Sequence, residues 1–169
     1  YTKMALYVAT NDTTYLNEAK QIYEQDHLAC TGVTWKNNGG LGRYLFLTHE
    51  QSKTDDSTFY DEMLNSLVTD ANAILDTTNG NGYNISIYEF SWGSNSYLIN
   101  NGIVLSMAYD LTGNTKYEQK AYEQISYVFG KNPLGMSFVT GHGLNYPQNI
   151  HSRIAKAKNI SLPGALVGG

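Results

Sequence analysis

Apolar residues recur along this chain in two rhythms, and the rhythms alternate. Over residues 15–28, Tyr15, Ala19, Ile22 and Tyr23 form one stripe at helical spacing, with Glu18, Lys20 and Glu24 mostly opposite. Residues 41–47 are apolar nearly throughout, with Tyr44, Leu45, Phe46 and Leu47 consecutive. Residues 56–76 return to a single stripe of Phe59, Met63, Leu64, Leu67, Ala71, Ile74 and Leu75. Residues 97–109 carry Leu98, Ile99, Ile103, Val104, Leu105, Met107 and Ala108 around most of the circumference. A last stripe, Tyr117, Ala121, Ile125 and Val128, runs through 116–129. A helix that is apolar on every side must be covered on every side. The second and fourth segments therefore predict an inner layer, and the other three an outer layer with one wet face. Thr115 with Glu118 predicts a capping box, Ser94 a start for the fourth helix, and Gly130 with Pro133 a stop for the fifth.

An internal repeat supports this two-layer reading. The segment from Tyr7 to Tyr15 (YVATNDTTY) resembles that from Tyr109 to Tyr117 (YDLTGNTKY), and Ala19 and Ala121 continue the register. Each copy joins an apolar helix to an amphipathic one through a tight turn. Repeated helical hairpins imply a solenoid or a closed toroid, and the absence of a short regular period favours the toroid. Five helices are too few to close a ring, so the rest of the ring is expected elsewhere.

Composition narrows the function classes. The 169 residues, 41% hydrophobic and 15% charged, suit one globular domain or part of one. A net charge of -4 offers no electrostatic grip on nucleic acid or on an anionic membrane. No apolar run is long enough to span a bilayer, and none of these residues reads as a signal peptide. The chain begins with Tyr1 rather than Met, which suggests a processed or cut terminus. The single Cys30 excludes an internal disulfide or a cysteine-based zinc site and reads as a small buried side chain. Tyr occurs 14 times; flat amphipathic rings suit sugar faces as well as a Tyr-rich core.

Two irregular regions carry the candidate chemistry. Residues 77–94 are rich in Asn and Gly, then alternate loosely through Tyr83, Ile85, Ile87, Tyr88 and Phe90, as a short strand pair or an extended loop would. They deliver Trp92 to the start of an inner helix, with Tyr97 one turn in. Trp35 precedes the other inner helix. Such rings either stack on the C–H faces of pyranoses or plug the helix end against the core. Residues 131–169 show no helical pattern and read as a long, shaped loop. Gly141 and Gly143 permit conformations that a Cβ forbids, Pro147 fixes φ, and His151 and Arg153 present an imidazole and a guanidinium two residues apart. The alternative is a plain connection whose Arg pairs with a surface carboxylate. Lys156 and Lys158 read as a solvated face.

The pattern Ser137-x-Val139-Thr140-x-x-Gly143-x-Asn145-x-x-x-x-Ile150-His151-x-Arg153 resembles the His-containing signature of family 9 glycoside hydrolases, the cellulase E group. Residues 130–135 (GKNPLG), 163–169 (PGALVGG), 92–95 (WGSN) and 109–113 (YDLTG) resemble that family's neighbouring segments. Trp35 is followed by Lys36 where the family often has an acidic residue. The resemblance implies an all-α fold, part of an (α/α) toroid of six hairpins with long active-site loops. It implies hydrolysis of β-1,4-glucans, chiefly cellulose, outside the cell and with inversion at the anomeric carbon. Inversion needs a carboxylate base and a carboxylic acid roughly 6.5–9.5 Å apart.

By the same resemblance the base is an Asp in an Asp-Ala-Gly-Asp motif and the acid a Glu in an Asn-Glu motif. Neither motif occurs here. Asp55-Asp56 lacks the Ala-Gly context and reads as a helix cap, and nothing marks Glu89, the carboxylate nearest Trp92, as an acid. Residues 1–169 thus resemble a C-terminal portion of the catalytic domain, incomplete at both ends, whose partners are the glucan and the rest of that domain. His151 is implied at the active site, Arg153, Trp92, Tyr97 and Trp35 in substrate binding. No cofactor is required; calcium occurs in relatives, but no Asp-rich loop here has ligand spacing that assigns a site. A non-catalytic glucan-binding module and a helical-repeat interaction scaffold stay open as alternatives.

Overall fold

The computed structural model describes residues 1–168; Gly169, the last residue of the downstream flanking segment, lies outside them. Its α-helices are α1 (Thr2–Thr10), α2 (Thr13–Gln25), α3 (Gly39–Thr48), α4 (Ser52–Asp55), α5 (Ser57–Thr78), α6 (Ser94–Thr112), α7 (Thr115–Val128) and α8 (Arg153–Lys158), with a 3-10 turn at His27–Cys30. They form three successive hairpins, α1–α2, α3–α5 and α6–α7. Helices α1, α3 and α6 touch one another in series as the inner layer, while α2, α5 and α7 back them. The two-layer expectation holds for all five predicted helices.

Helix α1 is not among the five periodic segments, but it is the apolar helix that the internal repeat implies ahead of the turn after Tyr7. It is short, and its neighbour α2 carries the clearer stripe, yet Met4 and Tyr7 on it are fully buried. With α1 in place the internal repeat becomes a structural one. Asn11 (φ 55°) ends α1 in the left-handed conformation and donates its N–H to the Tyr7 carbonyl, as Gly113 (φ 68°) ends α6 and donates to that of Tyr109. Thr10 Oγ1 donates to the Leu6 carbonyl and accepts from the Asp12 amide; Thr112 does the same with Ala108 and Asn114. Asp12 and Asn114 then cap α2 and α7 by accepting from Thr14 and Lys116. The expected Thr115–Glu118 capping box is therefore corrected by one position: Asn114, a stronger cap, takes the role. Asp56 does cap α5, through the Phe59 amide at 2.9 Å.

Other boundaries shift for local reasons. Helix α3 begins at Gly39, ahead of the predicted 41, and its Gly42 passes the backbone of Tyr1, where a Cβ would lie 2.7 Å from the Tyr1 Cα. The expected all-apolar character of α3 hides Arg43, which is wholly buried and donates to Ser66 Oγ at 2.8 Å and Asp70 Oδ2 at 2.7 Å. Helix α5 runs on to Thr78, and residues 79–93 are loop, with no strand among the described residues beyond one isolated antiparallel bridge between Val139 and Leu166. Residues 131–168, expected without a helix, contain α8. Cys30 is buried as expected.

Two apolar clusters hold the arc. The larger lies between the layers and runs from Met4 and Tyr7 through Phe46, Phe59, Met63 and Leu67 to Leu105 and Ala121. The smaller, Ile85, Leu98, Tyr127 and Val128 with Phe138 and Val139 against it, pins the two long loops to the start of α6 and the end of α7.

Candidate functional site

The site forms where these loops cross the N-terminal end of α6. Residues 79–93 are anchored by Gln124 of α7, a fully buried side chain. Its Oε1 accepts from the Ser86 amide at 2.8 Å and from Ser86 Oγ at 2.9 Å, and its Nε2 donates to the Asn84 carbonyl at 3.1 Å. Asn101 of α6 donates to Ser86 Oγ from the other side. Phe90 stacks on Tyr127, whose phenol pKa is pushed up by burial and by neighbouring Tyr83. From this anchored loop the chain reaches Trp92, 93% exposed, and Gly93 (φ 85°), the N-cap of α6. Ser94, expected to precede the helix, is its first residue.

The second loop is tied to the same helix end. Asn95, buried in the first turn of α6, donates from Nδ2 to the Val167 carbonyl at 2.9 Å and from its amide to the Gly168 carbonyl. Val167 donates to the Phe138 carbonyl, and Phe138 to that of Val128 at the end of α7. Segment 164–168 thus lies between α6 and segment 137–140.

Thr140 closes the neck of the loop in between. Its amide donates to the Ala165 carbonyl, its carbonyl accepts from Gly164, and its Oγ1 donates to the Leu162 carbonyl while accepting from the Ala165 amide. Gly141 (φ 75°) completes the neck, since a Cβ there would sit 3.0 Å from Pro163 Cβ. Asn132 shapes the entry by donating to the Tyr127 and Met136 carbonyls and accepting from Leu134.

Within that neck, residues 146–163 wrap a groove of about 730 Å³ whose lining includes Tyr146, Gln148, His151 and Arg153. Ser152 caps α8 by accepting from Ala155, which places His151 just outside the helix and Arg153 at its first position. Both side chains are exposed, and among the described residues Arg153 makes no ion pair, so it is not the surface-paired Arg of the plainer reading. Lys156 and Lys158 form the basic last turn of α8.

The aromatic residues are open to solvent rather than plugging helix ends. Tyr97 is 42% exposed on the first turn of α6, and Trp35 is 81% exposed on the turn before α3, with Lys36 Nζ 5.0 Å above its ring. Trp92, Tyr97, His151 and Arg153 are carried by elements bonded to one helix end; Trp35 belongs to the neighbouring inner helix. Glu89 is exposed, and among the described residues its carboxylate accepts no hydrogen bond. The anchors Gln124, Asn95, Asn132 and Thr140 were missed as such. Thr140 lies in the His-containing pattern, Asn95 in segment 92–95 and Asn132 in segment 130–135, whereas Gln124 carries no such signal.

An arc of inner and outer helices with long loops gathered over one end is the architecture of stacked α/α hairpins. The comparisons are consistent along the whole chain: residues 2–169 match glycosyl hydrolase family 9, and the chain belongs to that family. Endoglucanase D of Acetivibrio thermocellus is 33% identical over 138 residues, covering 80% of this chain and 22% of that protein. A cellulose 1,4-beta-cellobiosidase of the same organism is 32% identical over 148 residues, covering 80% and 16%. The crystal structure of a metagenome-derived glycoside hydrolase family 9 endoglucanase superposes with a TM-score of 0.87 at 33% identity, over 99% of this chain and 30% of that one. The fold is accordingly part of an (α/α)6 toroid. The chain spans only about a fifth of the two curated relatives.

Proposed function

We propose that these residues form a substrate-binding part of an inverting β-1,4-glucan hydrolase whose catalytic Asp and Glu lie outside this chain. The observation that carries the reading is the groove at His151 and Arg153, held by Thr140 and Asn95 to the helix end that presents Trp92. Exposed, rigidly delivered rings beside convergent donors suit a sugar chain, which offers apolar C–H faces and hydroxyl edges. Trp92 and Tyr97, and Trp35 on the next helix, stack on individual glucosyl units. His151 bonds a hydroxyl beside the scissile bond and orients charge at the acid. The Arg153 fork holds sugar hydroxyls or braces a catalytic carboxylate. Protonation of the leaving oxygen and activation of water fall to the absent carboxyl pair, separated by the width of that water. A polymeric glucan is met outside the cell, which supports a secreted enzyme.

The test is calorimetric titration of the chain with cellohexaose, alongside an assay on carboxymethylcellulose. Saturable binding is expected, weakened by His151→Ala and by Trp92→Ala with unchanged melting temperature, and no hydrolysis by the chain alone. Equal affinity of both variants and the parent would instead favour an interaction scaffold. Turnover by the purified chain would place the catalytic pair within it and overturn the assignment.

A further inference from the structure

Asparagine is followed by glycine at Asn38–Gly39, Asn79–Gly80, Asn81–Gly82 and Asn101–Gly102. Such a pair is chemically labile in water. The glycine amide nitrogen can attack the asparagine side-chain carbonyl carbon, because a backbone without Cβ turns freely into the ring geometry. The fold holds these pairs very differently. Gly39 is buried, and its amide donates to Asn37 Oδ1 at 2.8 Å. Gly102 is buried in the middle of α6, where its amide belongs to the helix ladder, and Asn101 Nδ2 donates to Ser86 Oγ at 2.8 Å. Asn81 Oδ1 accepts from the Tyr83 and Ile85 amides, both at 3.1 Å, while its Nδ2 donates to the Ile85 carbonyl at 2.7 Å.

Asn79 and Gly80 have none of these restraints. Both are exposed and follow directly on α5, with Asn79 as its C-cap. Among the described residues the Asn79 side chain makes no hydrogen bond and the Gly80 amide meets no acceptor. Ring closure needs a rotation about the Asn79 ψ, and that rotation breaks no bond of the pair's own. One neighbour opposes it. Tyr88 reaches back from the loop and donates to the Thr77 carbonyl at 2.6 Å, satisfying a group that the helix end leaves open. Its hydroxyl lies so close over Gly80 that a Cβ there would collide with it.

The geometry points to Asn79 as a site of spontaneous deamidation, gated by Tyr88, whose product loosens the loop that delivers Trp92. The Gly80 nitrogen bonds to Asn79 Cγ and gives up its proton, and ammonia leaves. Water then opens the succinimide at one C–N bond or the other, to aspartate or isoaspartate, with nothing oxidised or reduced. Either product places a carboxylate at the negative end of the α5 dipole. Isoaspartate also adds a methylene to the backbone and so moves Gly80 from beneath Tyr88. The loop from Gly80 to Gly93 then loses its Tyr88 tie to α5. This inference is independent of the glucan reading.

The experiment is peptide mapping of the chain after incubation at mildly alkaline pH, by mass spectrometry that separates Asn, Asp and isoaspartate. In the native chain, modification at Asn79 is expected several-fold faster than at Asn38, Asn81 or Asn101. In guanidinium the rates should converge, since only the fold distinguishes the pairs. Tyr88→Phe removes the bond to Thr77 and should speed the Asn79 reaction roughly 2- to 10-fold, the factor one hydrogen bond supplies. Asn79→Gln should remove the fast phase and leave the melting temperature unchanged. Hydrogen exchange over residues 80–93 should rise in the isoaspartyl form purified by ion exchange. A native rate at Asn79 no faster than at Asn81, or a native chain that stays unmodified while the unfolded chain reacts, overturns the site. An unchanged rate in Tyr88→Phe overturns the gate, and unchanged exchange over 80–93 overturns the effect on the loop.

Discussion

Replacing Gln124 with Leu tests the reasoning about the loop that carries Trp92. The side chain is fully buried, and Leu, though one carbon shorter, fills most of its space without its polar atoms. The substitution removes the acceptor for both the Ser86 amide and Ser86 Oγ, together with the donor to the Asn84 carbonyl. Asn84 is half-buried, so water can reach its carbonyl, and Asn101 continues to donate to Ser86 Oγ. Two donors on buried Ser86 remain unsatisfied, each costing about 1–3 kcal/mol. The expected loss is therefore about 3 kcal/mol, less than a full sum because the loop can relax. At roughly 2–4 °C per kcal/mol for a chain of this size, melting should fall by about 6–12 °C. Circular dichroism at 222 nm measures it, and hydrogen exchange at the Ser86 amide should rise out of proportion to that of the α7 amides. Ser86→Ala combined with Gln124→Leu should cost clearly less than the two single changes added together. A melting shift under 2 °C, with Ser86 exchange unchanged, would refute the claim that this glutamine holds the loop.

The Asp56 carboxyl is held below the usual carboxylate range first by Lys20 and then by the Phe59 amide. Its folded pKa is depressed, so its stabilisation is present at neutral pH and lost as pH falls from about 4 through the folded value. Asp56→Asn should flatten that part of the acid unfolding curve while keeping the cap. The Tyr7 phenol is pushed up to about 12, chiefly by burial and then by its hydrogen bond to Asp55. A raised folded pKa gives stability that is full below about 10 and lost as pH rises toward 12. Tyr7→Phe should remove that alkaline limb and cost roughly 1–2 kcal/mol at pH 7 in a denaturant titration. Burial also raises the Cys30 thiol. Its reaction with a disulfide reagent at pH 8 should be slow in the native chain and fast in guanidinium, whereas rapid native labelling would show that the His27–Cys30 turn is open.

Local periodicity revealed much of the fold because helix formation and layer preference are written at short range. The stripe through Phe59, Met63, Leu67 and Ala71 predicts a one-sided helix, and all four side chains are buried in α5. The ring of apolar residues around α6 predicts an inner helix, with Leu98, Val104, Leu105 and Ala108 buried on several sides. The repeat implies α1 although its own stripe is too weak to give its bounds, and Arg43 sits inside an otherwise apolar run. A buried guanidinium depends on Ser66 and Asp70, more than 20 positions away along the chain. Residues 153–158 escaped notice because a helix of six residues has too few turns to show a period.

For the site, the amino-acid sequence by itself determined which residue types meet: the imidazole, the guanidinium, the exposed rings and the glycines of one long loop. It also determined the paired turns after Tyr7 and Tyr109, because those turns are set by side chains within a few positions of each other. Only the tertiary structure decided that Trp92 faces solvent and that Thr140 shuts the neck behind His151. It likewise decided that Asn95 and Gln124 lock two loops to one helix end. Each of those outcomes depends on hydrogen bonds between backbone and side-chain groups 22 to 72 residues apart. No local pattern encodes such partners, since the donors are ordinary amides and hydroxyls until folding removes water from around them.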